Sequence, residues 1–176
     1  MFNELNNLRV FFEEPDREVG VREYARLSKI APATASSRLR NLVKGGFLSE
    51  RSERNVTLFA ARTESDFYLE AKRFYNISKI KDSGLIDFLV REFHEPTIFL
   101  FGSYAKAENS KKSDIDLFVI SNTKKSVNLA DFEKKLSPIQ LMVHDPSEIH
   151  KLMKTNPHLL NNVLNGIRLY GFWEAL

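Results

Sequence analysis

The chain has 176 residues, 43% of them hydrophobic and 28% charged, which is typical of a soluble protein with one or two small domains. It contains no cysteine, which excludes a disulfide framework and a cysteine-based zinc site. No apolar run approaches the roughly 20 residues that span a bilayer, and the start lacks a signal-peptide pattern, so we expect a cytoplasmic protein with no membrane partner.

The net charge of +3 is unevenly distributed along the chain. Residues 1–62 contain 11 lysines and arginines against 8 acidic residues, whereas residues 63–176 contain 15 of each. From Ala33 to Arg62, six basic residues stand against two acidic ones. A local excess of this kind indicates either a surface for a polyanion or a solvated basic face, and charge alone favours neither.

Hydrophobic spacing in the first third of the chain predicts three helices and a β-hairpin. The helices cover residues 3–13, 21–28 and 33–44, and the strands cover residues 47–52 and 56–61. Pro32 stands at the start of the third helix, and Gly45 and Gly46 end it. The core face of that helix carries Ala35, Leu39, Leu42 and Val43, and its opposite face carries Thr34, Ser37, Arg38 and Asn41.

This order of elements, with the segment T-A-S-S-R-L-R-N-L-V-K-G-G-F-L, resembles a winged helix-turn-helix domain over residues 1–62. The resemblance implies that the third helix enters the major groove of double-stranded DNA, while the hairpin touches the backbone or the minor groove. Bases would face Thr34, Ser37, Arg38 and Asn41, and phosphates would meet Arg40, Lys44, Arg51 and Arg54. The alternative is a winged helix that contacts other proteins.

Residues 63–82 are predicted to form a linker helix. They contain no glycine or proline, so they are not a flexible linker. They are rich in aromatic side chains at helical spacing, such as Phe67, Phe74 and Tyr75. We expect this helix to pack between the two domains, across a homodimer, or on its own domain only.

The segment from Thr97 to Ile120 carries the pattern most indicative of function. An apolar strand ends at Gly102, and Ser103 is predicted to cap a short helix over residues 104–107. A polar loop over residues 108–113 then leads to a second strand that opens with Asp114 and Asp116. Residues two apart in a strand share a face, so the two carboxylates project together.

Two adjacent carboxylates are unfavourable unless a cation or a proton lies between them. Carboxylates are ligands for Mg²⁺, and the N–H groups at the start of a helix suit a phosphate. The segment therefore indicates a site for Mg²⁺ and a nucleoside triphosphate, with in-line phosphoryl or nucleotidyl transfer as the favoured reaction. Lys112 could line the nucleotide cleft with its neighbours, although solvated loop lysines are the more common case.

A strand, Gly-Ser, ten residues and Asp-x-Asp before a second strand resemble the minimal nucleotidyltransferases of the DNA polymerase β-like superfamily. Gly102, Ser103, Asp114 and Asp116 match this motif, and the resemblance covers residues 83–176. It implies an α+β fold, in which a small mixed sheet with flanking helices follows the winged helix. It also implies that Asp114 and Asp116 are catalytic metal ligands, with Gly102, Ser103 and Lys112 near the nucleotide. The alternative is a surface turn before a strand with a solvated acidic start.

Active members of this superfamily usually carry a third carboxylate on a later strand. The matching strand is predicted over residues 139–143, where Gln140 stands in that place. A glutamine brings no charge, and only Asp145 and Glu148 lie near enough in sequence to substitute for it. Enzymatic turnover is therefore left open by the sequence.

The remaining chain predicts helices and strands that complete the second domain. The helices cover residues 85–93, 129–136, 146–153 and 157–164, and a third strand covers residues 137–143. Phe172 and Trp173 are expected to seal the core or an interface.

Three functions are compatible with these patterns. The first is a DNA-binding regulator, or an antitoxin-like protein, that binds nucleotide and Mg²⁺. The second is an active nucleotidyltransferase that acts on a protein or a nucleic acid, because proteins with this motif resemble the antitoxin halves of toxin–antitoxin pairs that transfer AMP to HEPN-type ribonucleases. The third is a catalytically inactive scaffold for a partner protein.

Overall fold

A computed structural model describes residues 2–173, with side chains from Leu5 onward. The chain divides into two compact units between Lys72 and Arg73. Within the described residues, the structure contains no helix with the length and apolar character needed to cross a membrane.

The N-terminal unit combines three helices with a small antiparallel sheet. In chain order its elements are α1 (Phe2–Glu13), β1 (Val19–Gly20), α2 (Val21–Ser28), α3 (Pro32–Lys44), β2 (Leu48–Glu53) and β3 (Val56–Ala61). The strands lie in the order β1-β3-β2. The hairpin between β2 and β3 turns through Arg54 and Asn55, which both have positive φ angles, as a two-residue type I′ turn requires. The two-residue β1 was not predicted, because it is too short to show any periodicity.

The core of this unit is built largely from aromatic side chains. The buried set includes Phe11, Phe12, Tyr24, Leu39, Phe59 and Tyr68. Each buried tyrosine donates its hydroxyl to a backbone carbonyl of α1, Tyr24 to Asn7 at 2.7 Å and Tyr68 to Phe11 at 2.7 Å. These hydrogen bonds satisfy the polar ends of the two rings, so the rings can be buried at little cost.

The predicted linker helix is a single helix, α4 (Asp66–Asp82), that contains the division between the two units. Tyr68, Lys72, Asn76 and Ile80 are buried, whereas Phe67 is 68% exposed. Burial lowers the pKa of Lys72 to about 8, and its ammonium group lies 5.9 Å from the centre of the Tyr68 ring.

The C-terminal unit has a four-stranded mixed sheet with helices around it. Beyond α4 its elements are α5 (Leu85–Phe93), β4 (Thr97–Phe101), α6 (Gly102–Lys106), β5 (Ile115–Ile120), α7 (Ala130–Glu133), β6 (Ile139–His144), α8 (Pro146–Thr155), α9 (Pro157–Leu164) and β7 (Ile167–Tyr170). The strand order is β6-β5-β4-β7, with β5 and β6 parallel and the other pairs antiparallel. The predicted α+β class and small mixed sheet with flanking helices are confirmed.

The two central strands are buried on both faces, which explains why their sequences are continuously apolar. On one face, Ile98, Leu100, Leu117 and Val119 belong to the same core as α5. On the other face, Phe99, Phe101, Phe118 and Ile120 form a second core with Ile149, Leu160 and Val163 from α8 and α9. The sheet therefore holds the end of β4 and the start of β5 rigidly side by side.

Three expectations for this unit were incomplete. Strand β7 was not predicted, because its four residues lie between two glycines and resemble a turn. Helix α7 has only four residues instead of the eight predicted over 129–136. Of the two C-terminal aromatic residues, Trp173 packs edge-on against Phe99 with ring centres 6.3 Å apart, whereas Phe172 is 70% exposed.

Candidate functional site

The residues of the Gly-Ser-x10-Asp-x-Asp motif meet at one end of the C-terminal sheet. Strand β4 ends and antiparallel β5 begins at that end, and Phe101 pairs directly with Asp116. The turn at Gly102 and the carboxylate of Asp116 are therefore neighbours, although fourteen positions separate them in the sequence.

Only glycine fits at position 102. Its φ is +67°, which is unfavourable for any residue with a side chain, and a Cβ atom there would lie 2.2 Å from Oδ2 of Asp116. The backbone of the turn thus lies directly against the carboxylate. This close approach is the geometric basis of the motif.

The prediction that Ser103 caps the short helix is wrong. Helix α6 begins at Gly102, its cap is Phe101, and no side chain accepts a hydrogen bond there. Because Gly102 adopts a left-handed conformation, the chain turns into the helix immediately at the end of β4. Ser103 is therefore the second helical residue and is half-buried.

Helix α6 has only five residues and needs support from its neighbours to persist. Asn76 donates from Nδ2 to the carbonyl of Tyr104 at 3.0 Å and to Oδ1 of Asn109 at 2.8 Å, and both asparagines are buried. Arg73 donates from Nε to the carbonyl of Ala105 at 2.9 Å. Sequence reasoning missed these residues, because contacts between positions about thirty residues apart leave no periodic signal.

The two predicted metal-binding carboxylates are close enough to influence each other. Burial raises the pKa of Asp116, and the negative charge of Asp114 raises it further. Ionisation of Asp116 is therefore less favourable than ionisation of an exposed aspartate. A bound cation would remove that cost.

Gln140 lies beside the carboxylate pair, as its position in the sequence suggested. It pairs with Asp116 across the parallel strands β5 and β6, and its Nε2 donates to Oδ2 of Asp114 at 2.8 Å. The side chain that stands at the third position thus holds one carboxylate of the pair with an amide and adds no charge.

The two acidic residues that could have replaced the third carboxylate lie elsewhere. Asp145 and Glu148 form a capping box at the start of α8, and both bind Lys124, at 2.8 Å and 2.6 Å. They follow the far end of β6, about 16 Å along the strand from Gln140 at about 3.3 Å per residue. No cluster of three acidic or histidine side chains that could hold a metal ion occurs in the part of the chain that the structure describes.

The lysines around the C-terminal sheet fall into two groups. Lys112 is exposed on the spacer loop that precedes Asp114. Lys124 binds Asp145 and Glu148, and Lys125 lies 2.7 Å from Glu92. Lys124 and Lys125 are therefore engaged with acidic residues, which leaves the exposed spacer lysines, Lys112 and its neighbour Lys111, as the better candidates for a phosphate contact.

In the N-terminal unit, most of the predicted DNA-contacting residues share one exposed face of α3. That face carries Thr34, Ser37, Arg40, Asn41 and Lys44. Arg54 is exposed in the hairpin turn. Arg38 is instead half-buried and donates to Oδ1 of Asn7 at 2.8 Å, and Arg51 donates to Glu18 and Glu53 at 2.6 Å each.

Comparison with known proteins places the C-terminal unit in a family. The family model for polymerase beta, nucleotidyltransferase, matches residues 84–172, which include the turn at Gly102, both aspartates and Gln140. No curated protein matches the chain. The close approach of Gly102 to Asp116, the paired aspartates and this match agree, and the chain belongs to the polymerase β nucleotidyltransferase family.

Proposed function

We propose that the chain is a DNA-binding regulator, or an antitoxin-like protein, whose nucleotidyltransferase-like unit binds a nucleoside triphosphate together with Mg²⁺. The observation that carries the nucleotide site is the packing of the Gly102 turn against Asp116, beside Asp114. The backbone N–H groups at this turn and Lys112 on the spacer are the groups suited to phosphate oxygens.

The residues present fit a single magnesium ion. Asp114 and Asp116 would hold it, because carboxylate oxygens are hard ligands and a half-buried pair of like charges favours a divalent cation between them. Bound Mg²⁺ would neutralise charge on the phosphates of the nucleotide. The remaining contribution of the chain is to orient the ligand through the fixed turn and the anchored helix α6.

Gln140 favours binding over rapid transfer. A third carboxylate would help to hold a second metal ion, but the amide of Gln140 adds no charge and occupies an oxygen of Asp114. The alternative is transfer of a nucleotide to a protein, such as a HEPN-type ribonuclease, or to a nucleic acid. The complete Gly-Ser-x10-Asp-x-Asp motif supports that alternative. The third function, an inactive scaffold, would need neither a nucleotide nor Mg²⁺.

Calorimetric titration with ATP, CTP, GTP and UTP, with and without Mg²⁺, tests the nucleotide site. At least one nucleotide is expected to bind with an affinity that requires Mg²⁺. Absence of binding for all four would contradict the proposal and would leave the scaffold function.

Replacing Gln140 with glutamate tests whether the missing third carboxylate prevents nucleotidyl transfer. We expect Gln140→Glu to transfer the nucleotidyl group of its bound nucleoside triphosphate to water, releasing the nucleoside monophosphate and pyrophosphate, at a rate at least about tenfold above wild type, because the new carboxylate can hold a second metal ion. Gln140→Ala is the matched control, since it removes the amide without adding charge. Release by the wild type as fast as by Gln140→Glu would instead support the transferase.

DNA binding by the N-terminal unit is supported by the order of its elements and by the exposed polar face of α3. Helix, strand, two helices and a hairpin, with β1 paired to the hairpin, resemble the arrangement of a winged helix. Arg40, Lys44 and Arg54 would neutralise phosphates, while small polar residues on α3 approach the bases.

We also propose a homodimer, which the exposed ring of Phe67 supports.

The ion pairs of Arg51 predict a difference between two arginines of the hairpin. Arg54→Ala is expected to weaken binding to random-sequence double-stranded DNA and to reduce the salt slope by about one unit. Arg51→Ala is expected to have a smaller effect, because Glu18 and Glu53 already neutralise its guanidinium group. Fluorescence anisotropy at several salt concentrations measures both, and equal losses would show that Arg51 leaves its ion pairs to contact phosphate.

A further inference from the structure

A cleft of about 510 Å³ lies between α1 and α3 within the N-terminal unit. Its apolar walls are formed by Leu5 and Leu8 of α1, Leu42 of α3, and Phe47 just before β2. The volume is within the range of small-molecule sites, which are mostly apolar and contain a few converging polar groups. The proposed nucleotide and DNA functions do not use these walls.

The polar groups of the cleft include one charge, and it is positive. Arg38 lines the cleft together with Asn7 and Asn41, and no acidic residue with a described side chain does so. The guanidinium group donates through one nitrogen to Asn7. Among the described side chains that is its single hydrogen bond, and it forms no ion pair with them. A guanidinium group has five N–H donors and remains charged at all physiological pH values, and the described side chains use only one of these donors.

We propose that this cleft binds a small organic carboxylate, whose charged group pairs with Arg38 and whose apolar body lies against the leucines and Phe47. The planar guanidinium group matches a carboxylate in a bidentate geometry. An uncharged ligand would leave the half-buried cation without a counter-charge, and a purely hydrophilic anion would leave the apolar walls in water.

This assignment gives Arg38 a different role from the one suggested by its place on α3. Its guanidinium group lies against α1, whereas the exposed face of the helix carries Ser37, Arg40 and Lys44. Arg38 is therefore the anchor of the carboxylate site rather than a reader of bases. Carboxylate binding in the cleft does not depend on whether α3 binds DNA.

Titration of the full chain with two carboxylates tests the site and shows whether it prefers an aliphatic or an aromatic ligand. Sodium octanoate provides a linear aliphatic chain, and 1-naphthoate provides an aromatic ring. Saturable binding of either one, measured by calorimetry, supports the proposal and identifies the preferred body. Octan-1-ol, which lacks the charge, is expected to bind at least about tenfold more weakly than octanoate.

Two variants locate the binding. Arg38→Gln keeps a donor for Asn7 but removes the charge, and it should weaken carboxylate binding at least about tenfold. Arg40→Gln on the same helix lies outside the cleft and should leave that affinity unchanged. Leu42→Trp should fill the cleft and reduce binding independently of charge. Thermal unfolding of each variant verifies its fold.

Three outcomes would overturn the proposal. The first is no saturable binding of either carboxylate. The second is equal binding of octanol and octanoate, and the third is full affinity in Arg38→Gln. Loss of DNA affinity in Arg38→Gln without carboxylate binding to the wild type would assign Arg38 to DNA instead.

Discussion

Replacing Asp114 and Asp116 together with asparagine is expected to abolish Mg²⁺-dependent nucleotide binding. Asp116 lies against the Gly102 turn, the charge of Asp114 acts on Asp116, and a neutral pair lacks the charge that holds a hard divalent cation. Loss of charged partners of this kind costs about 2–5 kcal/mol, so the affinity should fall about 30-fold or more. Calorimetric titration with the preferred nucleotide, with and without Mg²⁺, measures the change.

The double variant should remain folded. The pH dependence of stability in the single variant Asp116→Asn gives an independent check on the raised pKa of Asp116. Because the pKa of Asp116 is raised in the folded state, its carboxyl group favours folding at acidic pH, and this contribution is lost as the pH rises through the folded-state pKa. Asparagine has no such dependence. The stability of Asp116→Asn relative to wild type should therefore be more favourable at neutral pH than at acidic pH, as urea unfolding can show.

Asp131→Asn is the matched control for the double variant. Its carboxylate is on α7 in the same unit, is 87% exposed and pairs with Lys134 on the surface, so nucleotide affinity should not change. Persistence of Mg²⁺-dependent binding in the double variant would remove Asp114 and Asp116 from the site. Loss of binding in the control as well would point to a general effect of charge.

The parts of this site that the sequence predicts are those written in local patterns. Apolar runs that end at Gly102 and begin after Asp114 define two buried strands, and the register then brings Gly102 and Asp116 together. The position of Gln140 follows in the same way from its strand. In each case the side-chain period of a strand fixes which residues share a face.

The parts that the sequence does not predict depend on contacts between distant positions. Asn76 and Asn109 resemble ordinary polar residues until folding buries them against each other. Arg51 counts as excess positive charge in the sequence, yet Glu18, 33 residues away, neutralises it. Ser103 has the residue type of a helix cap, but the conformation of Gly102 moves the start of the helix. Composition and spacing describe neighbours along the chain, whereas these properties come from tertiary pairing.

Replacing Gly102 with alanine should reduce both stability and nucleotide affinity, and a comparison with Gly84→Ala separates the two physical causes. Gly102 and Gly84 both have positive φ angles, +67° and +80°, so alanine at either position adds backbone strain of about 1 kcal/mol. Beyond the neighbouring backbone, no atom of the described residues lies within 4 Å of a Cβ placed at Gly84, whereas a Cβ at Gly102 would lie 2.2 Å from Oδ2 of Asp116. Gly84→Ala therefore measures strain alone, and Gly102→Ala measures strain together with the collision.

The collision at Gly102 can be relieved by a movement of Asp116, and that movement would disrupt the proposed site. Asp116 is half-buried, so its carboxylate can rotate away from the new methyl group at a smaller cost than moving the sheet. We expect Gly102→Ala to lose about 1–3 kcal/mol of stability, with Gly84→Ala at the lower end of that range. Nucleotide affinity should fall at least about tenfold in Gly102→Ala and stay unchanged in Gly84→Ala. Equal affinities in the two variants would mean that nucleotide binding does not depend on where the turn holds Asp116, and the function proposed from their contact would then be wrong.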